Sequence, residues 1–415
     1  MHIKELSNAE FNKFTDNYKD HSVYQTSEYA FVMNEQKYDS LFLGLVENNE
    51  VLAASLILIE KNFGFKYAYA PRGFLIDYSN FNLLKKFTEE IKKYLSKKNV
   101  IAIKINPLII RSIYDPKTSQ TTVNNEFENI FNNLKKLDYY HLGYNNFFES
   151  FKPRYEGIID LNESINSLFI NLKKPFRTKI RKADKSGVRI FKGNESNLNY
   201  LYLQTKTKYP RNLKYFEDVY NFFNKRNLVD FYFAKLDTRE YLISVQKKYK
   251  YQSELCSKIN SKVFNTKDGK NNIINRKIRE ENKLANIKNE LVYATNLLKK
   301  YPEGIVTASV LILKYRDEVY MLMDGYDPKY KVLNSKHLLI WKLIEKYSSL
   351  GYKKFNLGGM SNIKEKHKKY TGLNEFKLSF NAKCVEYLGD LELITNKPLY
   401  MLYRNSSPIR NIIKK

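Results

Sequence analysis

Cysteine is nearly missing from this chain of 415 residues. The two present, Cys256 and Cys384, stand far apart and near no histidine in sequence, which argues against a disulfide scaffold and a zinc centre alike. Histidine is scarce too: five residues, scattered, with no ligand spacing. No Ser-His-Asp or Cys-His arrangement, Walker loop or Rossmann glycine fingerprint is present. Long apolar runs are also missing. The longest, Val51 to Ile59, is far too short to span a bilayer, and the opening Met1-His2-Ile3-Lys4-Glu5 is charged and lacks an apolar signal core. These absences predict a cytoplasmic protein whose membrane contact, at the inner face, is peripheral. They point to chemistry by positioning of two substrates, with no metal and no resident cofactor.

Acidic residues are in short supply against basic ones: 44 Asp and Glu face 71 Lys and Arg, a formal charge of +27. A fold needs no such imbalance, so it speaks to partners: RNA, phosphorylated ligands or an anionic membrane face. A Lys- and Asn-rich composition also follows from an AT-rich genome. Thirty-four tyrosines suit amphipathic surfaces and clefts as well as cores. The length exceeds what one core ordinarily fills, and two domains are expected.

The pattern along the chain repeats. Ser7-Asn8-Ala9-Glu10 is a capping box opening a first helix. Strands follow at Leu41–Val46, Val51–Ile59 and Lys66–Tyr69, then a helix carrying Leu83, Leu84, Phe87, Ile91 and Leu95, then a strand at Val100–Ile105. The same order returns later. Ala308–Lys314 echoes Ala54–Glu60, a strand follows at Val319–Met323, a helix carries Leu338, Leu339, Trp341, Leu343 and Ile344, and the strand Lys353–Leu357 ends in Gly358-Gly359. So long a period implies two homologous domains. Strand–turn–strand–helix–strand is the central order of the GNAT (acyl-CoA N-acyltransferase) core, so the expected fold is α/β with two tandem GNAT-like domains. The expected boundaries are 1–150 plus 380–415 for the first domain and 151–379 for the second. An arm over 238–300 is inserted in the second.

That arm has its own period. Val245, Tyr249, Gln252, Cys256, Ile259 and Val263 fall at alternating steps of four and three, as do Leu284, Ile287, Leu291, Ala294 and Leu298. The polar cluster Asn265–Asn272 predicts a turn between two antiparallel coiled-coil helices. Their outer faces are dense in Lys and Arg. A solvated face and a basic guide for tRNA or a partner protein both fit.

Several segments, taken in order, resemble the FemABX family, the non-ribosomal peptidyltransferases of the peptidoglycan cross-bridge. Tyr69-Ala70-Pro71-Arg72-Gly73-Phe74 is similar to its Y-x-P-R-G motif, Ile105-Asn106-Pro107 to its strand ending in D-P, and Lys152-Pro153-Arg154 to its Q-P-R. Lys179-Ile180-Arg181-Lys182-Ala183 resembles the segment opening the second half, Phe355-Asn356-Leu357-Gly358-Gly359 its F-x-G-G strand end, and Lys397-Pro398-Leu399-Tyr400 its N-x-P-L-Y close. The resemblance spans nearly the whole chain.

It implies attack of a precursor's side-chain amine on an aminoacyl-tRNA ester, with tRNA as leaving group and aminoacyl-tRNA as co-substrate in place of a cofactor. The acceptor it implies is lipid II or a UDP-muropeptide; Fem-type proteins are implied as partners. Gly372-Leu373-Asn374-Glu375-Phe376-Lys377 resembles the segment that supplies a Phe-Lys pair: Lys377 to stabilise developing charge, Phe376 to pack on substrate. Arg211 and Tyr215, one helical turn apart, resemble a pair at the precursor's diphosphate. Arg72 and Gly73 suit a strand-end turn in which Arg72 either meets substrate or serves as a structural donor, and Gly358 and Gly359 suit the shape of a cleft wall. Arg177, Lys179, Arg181 and Lys182 form a basic cluster that suits tRNA, anionic lipid or plain solvent.

The chain also departs from the pattern. The family's lysine four residues past an aromatic falls here at Met33, after Tyr29, leaving Lys37 as the nearest substitute. The aspartate of D-P is Asn106, and the aromatic-Gly strand end of the second half is Asp324-Gly325. Other readings are a leucyl/phenylalanyl-tRNA-type transferase, a plain acetyltransferase and a non-enzymatic RNA-binding protein. The Gly-rich pyrophosphate loop usual in plain acetyltransferases is not found.

Overall fold

The computed structural model describes residues 1–62, 64–208, 211–265, 270–365 and 367–405. The first half runs β1 (His2–Glu5), α1 (Asn8–Thr15), α2 (Ser27–Glu35), β2 (Asp39–Glu47), β3 (Glu50–Asn62), β4 (Phe65–Ala70), α3 (Phe81–Lys97), β5 (Val100–Ile105), β6 (Ile110–Asp115), β7 (Gln120–Val123), α4 (Phe127–Lys136) and β8 (Tyr139–His141). The second runs β9 (Tyr155–Asp160), α5 (Ile165–Asn171), α6 (Lys174–Lys185), β10 (Val188–Gly193), α7 (Leu198–Thr205), α8 (Leu213–Asn224) and β11 (Val229–Leu236). After the arm helices α9 (Thr238–Asn265) and α10 (Lys270–Lys300) come β12 (Ile305–Tyr315), β13 (Glu318–Tyr326), α11 (Ser335–Ser349), β14 (Lys354–Met360), α12 (Lys368–Ser379), β15 (Lys383–Tyr387), β16 (Leu391–Ile394) and α13 (Lys397–Asn405).

Local chemistry explains the elements. The expected capping box forms: the Ser7 hydroxyl accepts from the Glu10 amide, and Glu10 reaches back to the Ser7 amide at 2.8 Å. The apolar positions of α3 recur every third or fourth residue, so Leu84, Phe87, Ile91 and Leu95 are all buried against the first sheet.

Two sheets result, ordered β1-β2-β3-β4-β5-β16-β8 and β10-β11-β12-β13-β14-β9-β15-β6-β7. The duplication is explicit: β3, β4, α3 and β5 correspond to β12, β13, α11 and β14, and each set contains one parallel pair, β4 with β5 and β13 with β14. The sheets also trade strands. The β6–β7 hairpin leaves the first half to extend the second sheet beside β15, and β16 returns from the C-terminal region to pair with β5. A third apolar cluster joins the halves, with Phe11, Tyr24, Tyr29 and Leu56 from one side packing on Leu201, Tyr215, Phe216 and Leu311 from the other. An apolar interface of this kind holds the halves as one unit.

The arm is an antiparallel helix pair. Val245, Cys256, Ile259 and Ala294 are buried in its seam; in the last turn Leu297, not Leu298, takes the buried place. Gln252, at a seam position, donates to Glu280 of the facing helix at 3.0 Å, a buried polar contact that fixes register. Residues 266–269 of the expected turn, the side chain of Val263 and residues 406–415 of the first-domain span lie outside the described residues. No described helix is long and apolar enough to cross a membrane.

Candidate active site

The parallel pair of the second half opens. β13 and β14 pair only over Glu318↔Lys354, Val319↔Phe355 and Tyr320↔Asn356, then part. The register of β14 against β9 also breaks between Asn356 and Gly359. Gly358 sits at φ +76, a left-handed backbone that suits glycine, and its amide is held by the Asn356 side chain at 2.8 Å.

Helix α12 lies along the opening. Its adjacent Phe376 and Lys377 diverge by the helical turn angle. Phe376 stands among rings, 5.4 Å from His337 and 5.9 Å from Phe176. Lys377 runs into the gap, only 4% exposed. Two glycines make room for it: a Cβ at Gly157 would lie 3.4 Å from the Lys377 stem, and one at Gly358 would lie 3.9 Å from its ammonium. The ammonium donates to the Gly359 carbonyl at 2.5 Å.

Burial pushes the Lys377 ammonium down from its ordinary 10.5 to about 7; the Asp324 and Glu156 carboxylates oppose this and Lys336 adds to it. Lys336 is ion-paired to Asp324 and lies 4.3 Å from the centre of the Phe376 ring. His337, pushed down to about 4 by burial and by Lys179 and Lys336, is neutral at pH 7. Lys377 therefore sits where it can hold or release a proton near neutrality.

Phe376 and His337 form part of the wall of a cleft of about 700 Å³. Lys173, Lys179, Lys208, Lys331 and Lys369 also line it, with Phe176, Tyr326 and Tyr330. Of the basic cluster on α6, only Lys179 faces this cleft. Arg177 donates to the Ile170 carbonyl at 2.7 Å, Arg181 covers Phe169, and Lys182 is exposed. Sequence reading missed the other cleft lysines because they come from four separate segments.

Apart from Lys37, the remaining predicted residues gather at the junction of the halves. The Arg72 amide donates to Asn106 at 2.8 Å, and its guanidinium pairs with Glu156 at 2.6 Å and donates to the Pro153 carbonyl at 2.9 Å. Asn106 in turn donates to the Tyr69 hydroxyl at 2.9 Å. Asn356 bridges Glu156 and Glu318, and burial pushes the Glu318 carboxyl up to about 7. Arg211 lies 4.3 Å from the centre of the Tyr215 ring, and Tyr215 is buried beside Tyr29 in the shared apolar cluster. Lys37 is not brought to this group: it is exposed in a left-handed turn just after α2, while Met33 is buried. The cation that reaches Tyr29 is Lys152, at 3.4 Å from its hydroxyl. Its Lys-Pro-Arg context was visible in sequence, but not its burial.

Known proteins share this architecture. The crystal structure of FemX matches with a TM-score of 0.74 at 21% identity, over 97% of this chain and 99% of that one. A tandem GNAT protein from the clavulanic acid biosynthesis pathway matches at 0.50 and 7% identity, over 95% and 98%. The fold is thus two tandem GNAT-like domains with an inserted helical arm. In sequence, the aminoacyltransferase FemA of Staphylococcus epidermidis is 25% identical over 99% of this chain and its own full length. The lipid II:glycine glycyltransferase of Staphylococcus haemolyticus is 23% identical over 98% of this chain and 96% of its own length. The model of the FemAB family matches residues 6–406, and the chain belongs to that family.

Proposed function

We propose that this protein transfers an amino acid, glycine first, from aminoacyl-tRNA to the stem-peptide side-chain amine of a peptidoglycan precursor. Relatives named for aminoacyl transfer and for glycyl transfer to lipid II support the reading. The observation that carries it is Lys377, a buried ammonium in the strand opening of the second half, next in sequence to Phe376 on the cleft wall.

The amine nitrogen attacks the ester carbonyl carbon, the C–N bond forms, and the carbonyl oxygen becomes an oxyanion. Collapse breaks the bond to the ribose oxygen, and the proton shed by nitrogen ends on that oxygen. Lys377 as ammonium stabilises the developing charge and, held near pH 7, exchanges the proton readily. The lysines lining the cleft suit the phosphates of the tRNA end, and its rings suit the terminal base. Arg211 and Tyr215 suit the precursor's diphosphate. Lipid-linked and nucleotide-linked precursors both carry the required amine and diphosphate; the charge of +27 suits work beside an anionic membrane.

The test is transfer of labelled amino acid from charged tRNA to a muropeptide precursor, read by mass. The wild type produces the extended muropeptide, and Lys377→Ala lowers turnover by about 10²- to 10³-fold while the fold survives. Tight RNA binding without transfer would leave a binding module instead, and near-normal turnover by the variant would remove Lys377 from the mechanism.

A further inference from the structure

Lys152 lies near the end of the linker that carries the chain from the first half into β9. It is 8% exposed. Its ammonium stands 3.0 Å from the centre of the Tyr24 ring, 5.0 Å from that of Tyr29 and 5.3 Å from that of Phe151. Among the described residues neither Lys152 nor Arg211 makes an ion pair; Lys152 meets rings and the Tyr29 hydroxyl, and Arg211 the ring of Tyr215. Glu156, the acid whose field reaches Lys152, is itself committed to Arg72.

A buried ammonium without a counter-ion costs several kcal/mol, and the surrounding rings offset only part of that. A second cation, Arg211, within electrostatic reach adds to the cost. Two unpaired cations and a phenol converging at a junction between domains make a receptor for an anion. The guanidinium offers a fork for two oxygens and the ammonium a point charge, which is the donor set of a diphosphate.

We propose that Lys152, with Arg211 and the Tyr29 hydroxyl, binds the diphosphate of the precursor. This rests on the precursor reading above and adds a residue from the interdomain linker. Met33 lies one helical turn beyond Tyr29 on α2, buried in the same apolar cluster as Tyr24 and Tyr29. A lysine at 33 would stand one helical turn from the same phenol. The Arg72 bond to the Pro153 carbonyl fixes the linker one residue away, which makes Arg72 a positioning residue for Lys152.

The electrostatics agree. Burial holds the Lys152 ammonium well below the usual lysine range; Arg72 and Arg211 push it the same way, and Glu156 opposes them. Tyr24 and Tyr29, the phenols facing it, are kept protonated by burial. A bound diphosphate favours the charged form, so binding raises the proton affinity of Lys152.

The experiment is calorimetric titration of the full chain, without tRNA, with UDP-linked muropeptide and separately with lipid II in micelles. Buffers of differing ionisation enthalpy report the proton. The wild type binds one or both with proton uptake. Lys152→Met raises Kd by about 10- to 100-fold and abolishes the uptake. Its unfolding midpoint stays level or rises, because a buried amine without a counter-ion has been replaced by an apolar chain. The double variant Met33→Lys, Lys152→Met regains affinity. Equal weakening toward both precursors identifies the shared diphosphate, and weakening toward one identifies the source. Wild-type affinity in Lys152→Met, or a lowered midpoint with no rescue by lysine at 33, overturns the role of Lys152 alone. If the wild type binds neither precursor, the precursor reading falls with it.

Discussion

The two halves start from the same order of elements and diverge at one place, the far end of the parallel strand pair. In the first half, β4 and β5 stay paired through Ala70↔Ile105, and Asn106 then ties the strand ends together through the Arg72 amide and the Tyr69 hydroxyl. In the second half, β13 and β14 part after Tyr320↔Asn356, and Gly358 turns β14 away in a left-handed conformation. The difference is small in chemistry, an asparagine that stitches against a glycine that releases. It is large in consequence: among the described residues the parallel pair of the second half opens a gap, that of the first half does not, and Lys377 fills the gap. The closed half contributes Tyr24, Tyr29 and, through the linker, Lys152.

The largest effect is expected at the clamp between the halves. Glu156→Ala leaves the Arg72 guanidinium buried and unpaired, and denaturant unfolding should report a loss of about 3–5 kcal/mol. A loss under about 1 kcal/mol would show that the clamp is dispensable.

Gly358→Ala tests whether the opening depends on that one backbone conformation. A Cβ there would be held at positive φ and 3.3 Å from the Met321 carbonyl. The expected loss is about 1–2 kcal/mol of stability, together with reduced transfer because the neighbouring Gly359 carbonyl, acceptor for Lys377, shifts. Unchanged transfer would detach the strand opening from the chemistry.

Lys336→Ala is the mildest change and sharpens the electrostatics. Lys336 lowers the Lys377 pKa, so its removal moves the Lys377-governed limb of the transfer–pH profile upward. Stability follows with a definite sign. The folded chain releases the Lys377 proton near 7 and the unfolded chain near 10.5, so wild-type stability rises with pH across that window. In Lys336→Ala the rise starts at higher pH and is smaller. An unshifted profile would mean that another group governs the limb.

Legibility was uneven for physical reasons. The capping box at Ser7 and the apolar face of α3 are local signals and appear where the spacing put them, as does the arm seam at Val245, Cys256, Ile259 and Ala294. The last seam position moved to Leu297 because packing against the sheet, more than heptad spacing, governs the base of the arm. The Phe376-Lys377 pair was findable through its motif, whereas Lys152 carried no visible mark of its burial. The strand exchange by β6–β7 and β16 was hidden as well, since a strand's own sequence does not say which edge it will join.

The amino-acid order by itself determined the elements, the duplication, the arm and the excess of positive charge, since these follow from side-chain period and composition. Tertiary structure alone decided which charges are paired and which are stranded. Arg72 meets Glu156 from 84 residues away, and Lys377 lies along Gly157 on a strand from the start of its domain. A lysine's proton affinity is set by the water that it loses and the charges that surround it, and neither exists until the distant segments have closed around it.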